Sequence, residues 1–200
     1  MIMLKLLKLT LICSYLIGCS LNEPIAPKST REDYVNLIGK GVVYLRDYDT
    51  KLFMNATADP QLLQKAEAVF YLAADLRSMD PEAVDGLGAV QVRRGKLEIA
   101  KGFFLESLSR DSNYSRAYVH LAYVEEKLGN LAVSKELLGR AQLLNPADTH
   151  TLNNLGGIVY DSSLTEDEKD VGRRLLMQAI ELGDKKNYAL EHNKRILDKE

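Results

Sequence analysis

Two cysteines, Cys13 and Cys19, and three histidines, His120, His150 and His192, are the side chains in this sequence best suited to covalent or metal chemistry. A thiol at Cys19 has several possible uses: half of a disulfide, a metal ligand, a buried core residue, or a point of covalent attachment. The histidines lie far apart in the chain and lack metal-ligand spacing. There is no G-x-S-x-G nucleophile turn and no phosphate-cradling P-loop. The acidic run TEDEKD offers carboxylates, but acids at a helix start suit the helix dipole and need no cation. Asn55-Ala56-Thr57 fits a glycosylation sequon. With no nucleophile, base and orienting group in a usable arrangement, the sequence predicts a non-enzymatic protein with no catalytic residues, metal or cofactor.

The segment around Cys19 is an address rather than part of a fold. Lys5 and Lys8 precede the apolar stretch Leu9–Ile17, the order of a basic n-region and an apolar h-region in a secretory signal. The run is too short for a membrane-spanning helix of about 20 residues. It closes on Leu16-Ile17-Gly18-Cys19, which resembles the lipobox of bacterial lipoproteins. The resemblance implies that residues 1–18 are a lipoprotein signal peptide. Cys19 then becomes the first mature residue and carries a thioether-linked diacylglycerol and an N-acyl chain. An ordinary signal peptide with a chance cysteine is the plainer alternative. On the lipoprotein reading Cys13 leaves with the signal, so no thiol remains for a disulfide or a thiolate metal site. Ser20 resembles the outer-membrane class, which implies anchoring at the periplasmic face of the bacterial outer membrane. Residues 19–30 follow as a flexible tether. Pro24 and Pro27 disfavour regular structure there, and Ser20–Thr30 reaches roughly 35 Å at most.

The rest of the chain has the composition of a soluble globular domain, 46% apolar and 27% charged. A formal net charge of −2 lacks the basic footprint of a nucleic-acid binder, so no nucleic-acid partner is expected.

Residues 31–200 read as one domain built on an internal step of 34. Leu87, Leu121 and Leu155 keep it, as do Gly88, Ala122 and Gly156. So do Gly95 with Gly129, Ala66 with Ala100 and Ser134, and Phe70 with Phe104 and Leu138. Asn145-Pro146 closes one unit. The pattern resembles the tetratricopeptide repeat (TPR), in which each unit is a pair of antiparallel helices, A and B. It implies an all-α fold, an α-solenoid of three to four helical hairpins with a leading helix and a C-terminal capping helix. The units fall near 47–80 (degenerate), 81–114, 115–148 and 149–186, with the cap at 187–200. Small residues at Gly88, Ala122 and Gly156 allow close helix packing, and Gly95 and Gly129 end helix A in a left-handed conformation. Asp59-Pro60 and Asp80-Pro81 read as N-caps followed by proline at the first helical position.

Two departures from the repeat stand out. Before the first B helix there is no motif-bearing A helix. Ser29 and Glu32 form a capping box, and Tyr34, Ile38, Val42 and Leu45 recur at helical spacing, so a longer helix from about Arg31 to Met54 stands in. In the last unit Gly172, Leu176 and Ala179 lie 38 rather than 34 residues after Ser134, Leu138 and Ala141. Thr165 with Glu168 is a second capping box, so the last B helix starts about one turn early.

The TPR resemblance places the ligand groove along the A helices. Carried over position by position, it offers Arg93, Arg116, Val119, Tyr123, Lys127, Asn153 and Tyr160, with the two tyrosines as anchors. Asp85 and Ala89 stand where a carboxylate clamp would need a cation and an amide, so no such clamp is expected. The expected partner is a helix or extended segment of another protein. Lipid-anchored TPR proteins of this size resemble pilotins and assembly factors of type IV and tight-adherence (Tad/Flp) pili, which implies a secretin or pilus component as partner. An adaptor for peptidoglycan and other cell-envelope enzymes is the alternative.

Overall fold

The computed structural model describes residues 31–54 and 59–183. Cys19, the tether, Ser29, the sequon at 55–57, His192 and the expected cap at 187–200 lie outside the described residues. Within them the chain forms eight helices and no strand. These are α1 (Arg31–Phe53), α2 (Pro60–Leu76), α3 (Pro81–Arg93), α4 (Leu97–Arg110), α5 (Ser115–Lys127), α6 (Leu131–Leu144), α7 (Thr149–Ser162) and α8 (Glu166–Leu182).

Consecutive helices pair as four hairpins, α1–α2, α3–α4, α5–α6 and α7–α8, and each hairpin packs on the next through α2–α3, α4–α5 and α6–α7. The turns follow from the residues that make them. Gly95 and Gly129 sit at φ +71° and +87°, a region that costs an L side chain roughly 1–2 kcal/mol. The Asp59 carboxylate accepts from the Gln61 amide at 2.9 Å and Asp80 from Glu82 at 3.1 Å, each with proline opening the helix.

Small residues set the distance between helices. Phe104 is fully buried, and a Cβ on Gly88 would stand 2.4 Å from its ring. Phe70 is gripped from two sides, since a Cβ on either Gly41 of α1 or Gly86 of α3 would stand 2.5 Å from it. Gly41 therefore does in α1 what Gly88 does in α3, and the first hairpin runs from Arg31 with α1 as its A helix. The buried face of α1 is Tyr34, Ile38, Gly41 and Leu45. Val42, expected on that face, is half exposed and borders the groove instead. The early start of α8 is present. It begins at Glu166, six residues before Gly172, whereas α4 begins three before Ala100. The Thr165 hydroxyl accepts from the Glu168 amide, and the Glu168 carboxylate accepts from the Leu164 amide at 3.0 Å.

Helix α3 is enclosed by its neighbours. Every residue from Ala83 to Gln91 is buried, because α2 and α4 flank it and both α1 and α5 reach across it. No described helix is long and apolar enough to cross a membrane.

Candidate binding groove

The helices α1, α3, α5 and α7 present one face of the array, and clefts run along it. A cleft of about 330 Å³ lies over α1, α3 and α5, floored by Leu45, Phe70 and Ala89. One of about 300 Å³ continues over α3 and α5 between Val92, Phe104 and Tyr123. The third, about 530 Å³, lies between α5 and α7, with Val119, Tyr123 and Asn154 among its walls. His120 borders all three.

Ion pairs cross this face from helix to helix. The Arg93 guanidinium on α3 donates to both carboxylate oxygens of Asp49 on α1, at 2.8 and 2.5 Å. Arg116 on α5 donates to Glu82 on α3 at 3.2 Å. His120 Nδ1 lies 2.8 Å from the carboxylate of Asp85, which is 3% exposed. A buried carboxylate is costly unless it is paired, and this imidazole supplies the partner. An ionised carboxylate only accepts, so toward ionised Asp85 the imidazole donates through Nδ1. Phe104 packs against the same ring at 5.2 Å between centroids. Tyr114 lies at the N-terminal end of α5 beneath Arg116, 5.8 Å from ring centroid to guanidinium. Burial, reinforced by the charge of Asp85, raises its phenol above the ordinary value, so the hydroxyl stays neutral. Among the described residues, no group of three or more His, Cys, Asp or Glu side chains is placed to hold a metal ion.

No protein-family model matches the sequence, and a search of curated proteins finds no match. Solved structures do match. TTC0263, described as a thermophilic TPR protein in Thermus thermophilus, superposes with a TM-score of 0.55 at 21% identity, over 76% of this chain and 75% of that one. A MamA RS-1 double mutant superposes with a TM-score of 0.52 at 19% identity, over 76% of each chain. The fold is a TPR solenoid.

The TPR frame gathers some of the expected groove residues and disperses others. Arg93, Arg116, Val119 and Tyr123 line the clefts, although both arginines are already engaged by acids. Lys127 sits over the Tyr123 ring at 5.2 Å. Tyr160 lines none of the three clefts. Its ring lies under Lys169 and Arg173 of α8, at 5.3 and 5.9 Å, so it serves the α7–α8 hairpin. Asn153 bonds its neighbour Asn154, and it is Asn154 that borders the α5–α7 cleft. The sequence alone does not pair Asp85 with His120. The two are 35 residues apart, one off the repeat step, so alignment of the units does not bring them together.

Proposed function

We propose that the chain is a non-enzymatic scaffold that holds a helix or extended segment of a partner protein in the groove formed by α1, α3, α5 and α7. The observation that carries this reading is the run of clefts itself, floored by apolar residues and rimmed by charged ones, the make-up of a protein-binding surface. Tyr123 lines two of the clefts and remains 41% exposed, which suits an aromatic anchor. On the reading of the opening segment, Cys19 fixes the scaffold to the periplasmic face of the bacterial outer membrane. Its partner is then a secretin or pilus component, and its role is in assembling a pilus or secretion machine. The lipobox and the groove together support this placement, since a tethered groove suits a partner that is itself assembled at the membrane.

A photo-crosslinking residue at Tyr123, in the native envelope, tests the partner. Recovery of a secretin or pilus protein is expected, and recovery of hydrolases or synthases would favour the cell-envelope adaptor. Equal recovery from a crosslinker at Leu143, which lies away from the groove on α6, would place the site elsewhere. The anchor has its own test. Labelling by a fatty-acid analogue is expected to vanish in Cys19→Ala, and persistent labelling would remove the lipoprotein reading.

A further inference from the structure

We infer that the groove over α1, α3 and α5 selects an uncharged stretch of a partner protein, one that sets two large apolar side chains into the two hollows that meet at the Arg93–Asp49 bridge. The inference rests on the groove reading above and names the chemistry of what that groove holds.

The charges in these two hollows engage one another. Their walls include three arginines, Arg46, Arg93 and Arg116, and three acids, Asp49, Glu82 and Asp85. Every nitrogen of the Arg93 guanidinium has an acceptor, since Nε and one Nη donate to the two oxygens of Asp49 and the other Nη donates to the Ala89 carbonyl at 3.0 Å. Arg116 pairs with Glu82, and His120 with Asp85. Arg46, on the rim, lies 3.7 Å from Asp47 beside it in the chain. Opposite charges are equal in number and each is engaged within the protein. A charged side chain entering here would give up its water and meet no free counter-charge.

What the ion pairs leave uncovered is apolar. Leu45, Phe70 and Ala89 floor the first hollow, and Val92 and Phe104 lie in the second. Val42 of α1, 50% exposed, borders the first, and Tyr123 of α5 borders the second. The floor cannot collapse to fill this space. Phe70 is held between Gly41 and Gly86, and Phe104 against Gly88, at distances that leave no slack. Room that the protein's own rings cannot occupy is left for apolar side chains of another chain, and a floor held in place lowers the ordering cost of binding them. The α5–α7 cleft is polar by comparison, with Asn145, Asp148, His150 and Asn154 on its walls. The apolar selection therefore belongs to the α1–α3–α5 end.

The test uses the full chain in detergent and a positional-scanning library of N-acetylated, C-amidated nonapeptides, which carry no terminal charge. Leu, Ile, Met or Phe at each of two positions is expected to raise retention about tenfold over Lys or Glu there. Raising NaCl from about 0.1 M to about 1 M shortens the screening length from about 10 Å to about 3 Å and should leave retention undiminished. Val42→Asp and Tyr123→Ala should each lower it. The bridge gives a sharper test, because breaking it frees a charge. Arg93→Gln leaves Asp49 without its partner and should create a preference for Lys or Arg of about two- to fivefold, the strength of an exposed ion pair, which salt then removes. Asp49→Asn should create the opposite preference, for Asp or Glu, with helical circular dichroism unchanged in both variants. Retention that depends on Val42 and Tyr123 but favours a charged residue in the unaltered chain, or falls with salt, would overturn the inference and leave the groove reading standing. So would the absence of any new preference in both bridge variants. A change in the sedimentation of the peptide-free chain on Val42→Asp would also overturn it, by making a second copy the occupant. No retention of any peptide, or retention indifferent to both Val42→Asp and Tyr123→Ala, would bring both readings down.

Discussion

Phe70 and Phe104 show how single residues set this architecture. Each ring fits because the facing position is glycine, and the buried rings have no room to retreat. Gly88→Ala is therefore expected to cost about 1–3 kcal/mol by overpacking against Phe104. Gly102 on α4 is the control. A Cβ there meets nothing within 4 Å, so Gly102→Ala should stabilise by about 0.5–1 kcal/mol through helix propensity. Thermal or denaturant unfolding of the two variants reads the difference, and equal shifts of the same sign would contradict the packing described. The glycine at 88 was legible in the sequence because Ala122 and Gly156 repeat its smallness at a fixed step. Gly41 was not, since it lies 47 residues before Gly88 and only the fold pairs it with Phe70. The fate of Tyr160 was hidden for a related reason. Helix position gives the direction of a side chain, but a ring this long goes to whichever cations flank it, here Lys169 and Arg173.

Between elements, polar pairs join neighbouring hairpins beside the apolar contacts. Glu67 on α2 accepts from both terminal nitrogens of Arg94, at 2.6 and 2.9 Å, and from Gln91 of α3 at 3.0 Å. One step on, Lys101 of α4 donates to Glu125 of α5 at 2.7 Å, and Asn130 donates to the same carboxylate at 2.7 Å. The signs are reversed between the two junctions, so a hairpin docked one unit out of place would set Glu67 against Glu125. Lys101→Glu should consequently lower the melting temperature, and adding Glu125→Lys should recover part of the loss. Failure of the double variant to recover would show that the pair contributes nothing specific.

These carboxylates also fix the direction of the acid response. The hydrogen bond from Arg94 holds Glu67 below the usual carboxylate range, Lys101 does so for Glu125, and the Leu164 amide does so for Glu168. A depressed carboxylate stabilises the fold fully above its unfolded value of about 4.3, and that contribution is lost as pH falls through the lower, folded value. Helical circular dichroism should fall on acidification below about pH 4, and Glu125→Gln should flatten the fall. The capping aspartates, the left-handed glycines and the early start of α8 were all readable at this scale, because each is a local rule between residues close in sequence. The junction pairs were not, since they depend on which helix stands beside which.

Over the whole molecule, each hairpin relies mainly on its neighbours, so stability varies along the array. The core spanning α1, α2 and α3 includes Tyr34, Phe70, Leu87 and Val90, whereas the α7–α8 core centres on Leu152 and Ala179. Amide hydrogen exchange should be slowest in α3, covered from Ala83 to Gln91, and faster in α8. Equal protection of the two would mean that the array unfolds as one cooperative block. The step of 34 revealed the hairpins from Gly86 onward, whereas α1 was legible only from its capping box and helical spacing, which give its span of about Arg31 to Met54 but not its register against the other leading helices.

The spacing along the groove also has a mechanical meaning. The leading helices pack on one another from α1 to α3 and from α3 to α5, but that direct packing does not continue to the same degree from α5 to α7. There α6 carries the junction, with Leu138 and Ala141 sharing one core with Val119 and Ala122 of α5 and Leu155 and Val159 of α7. Bending about that core would widen or narrow the space between α5 and α7. Curvature and cleft width are then one coordinate. A load applied to the ends of the molecule would change its grip on whatever lies inside, and an occupant would stiffen the molecule against that load.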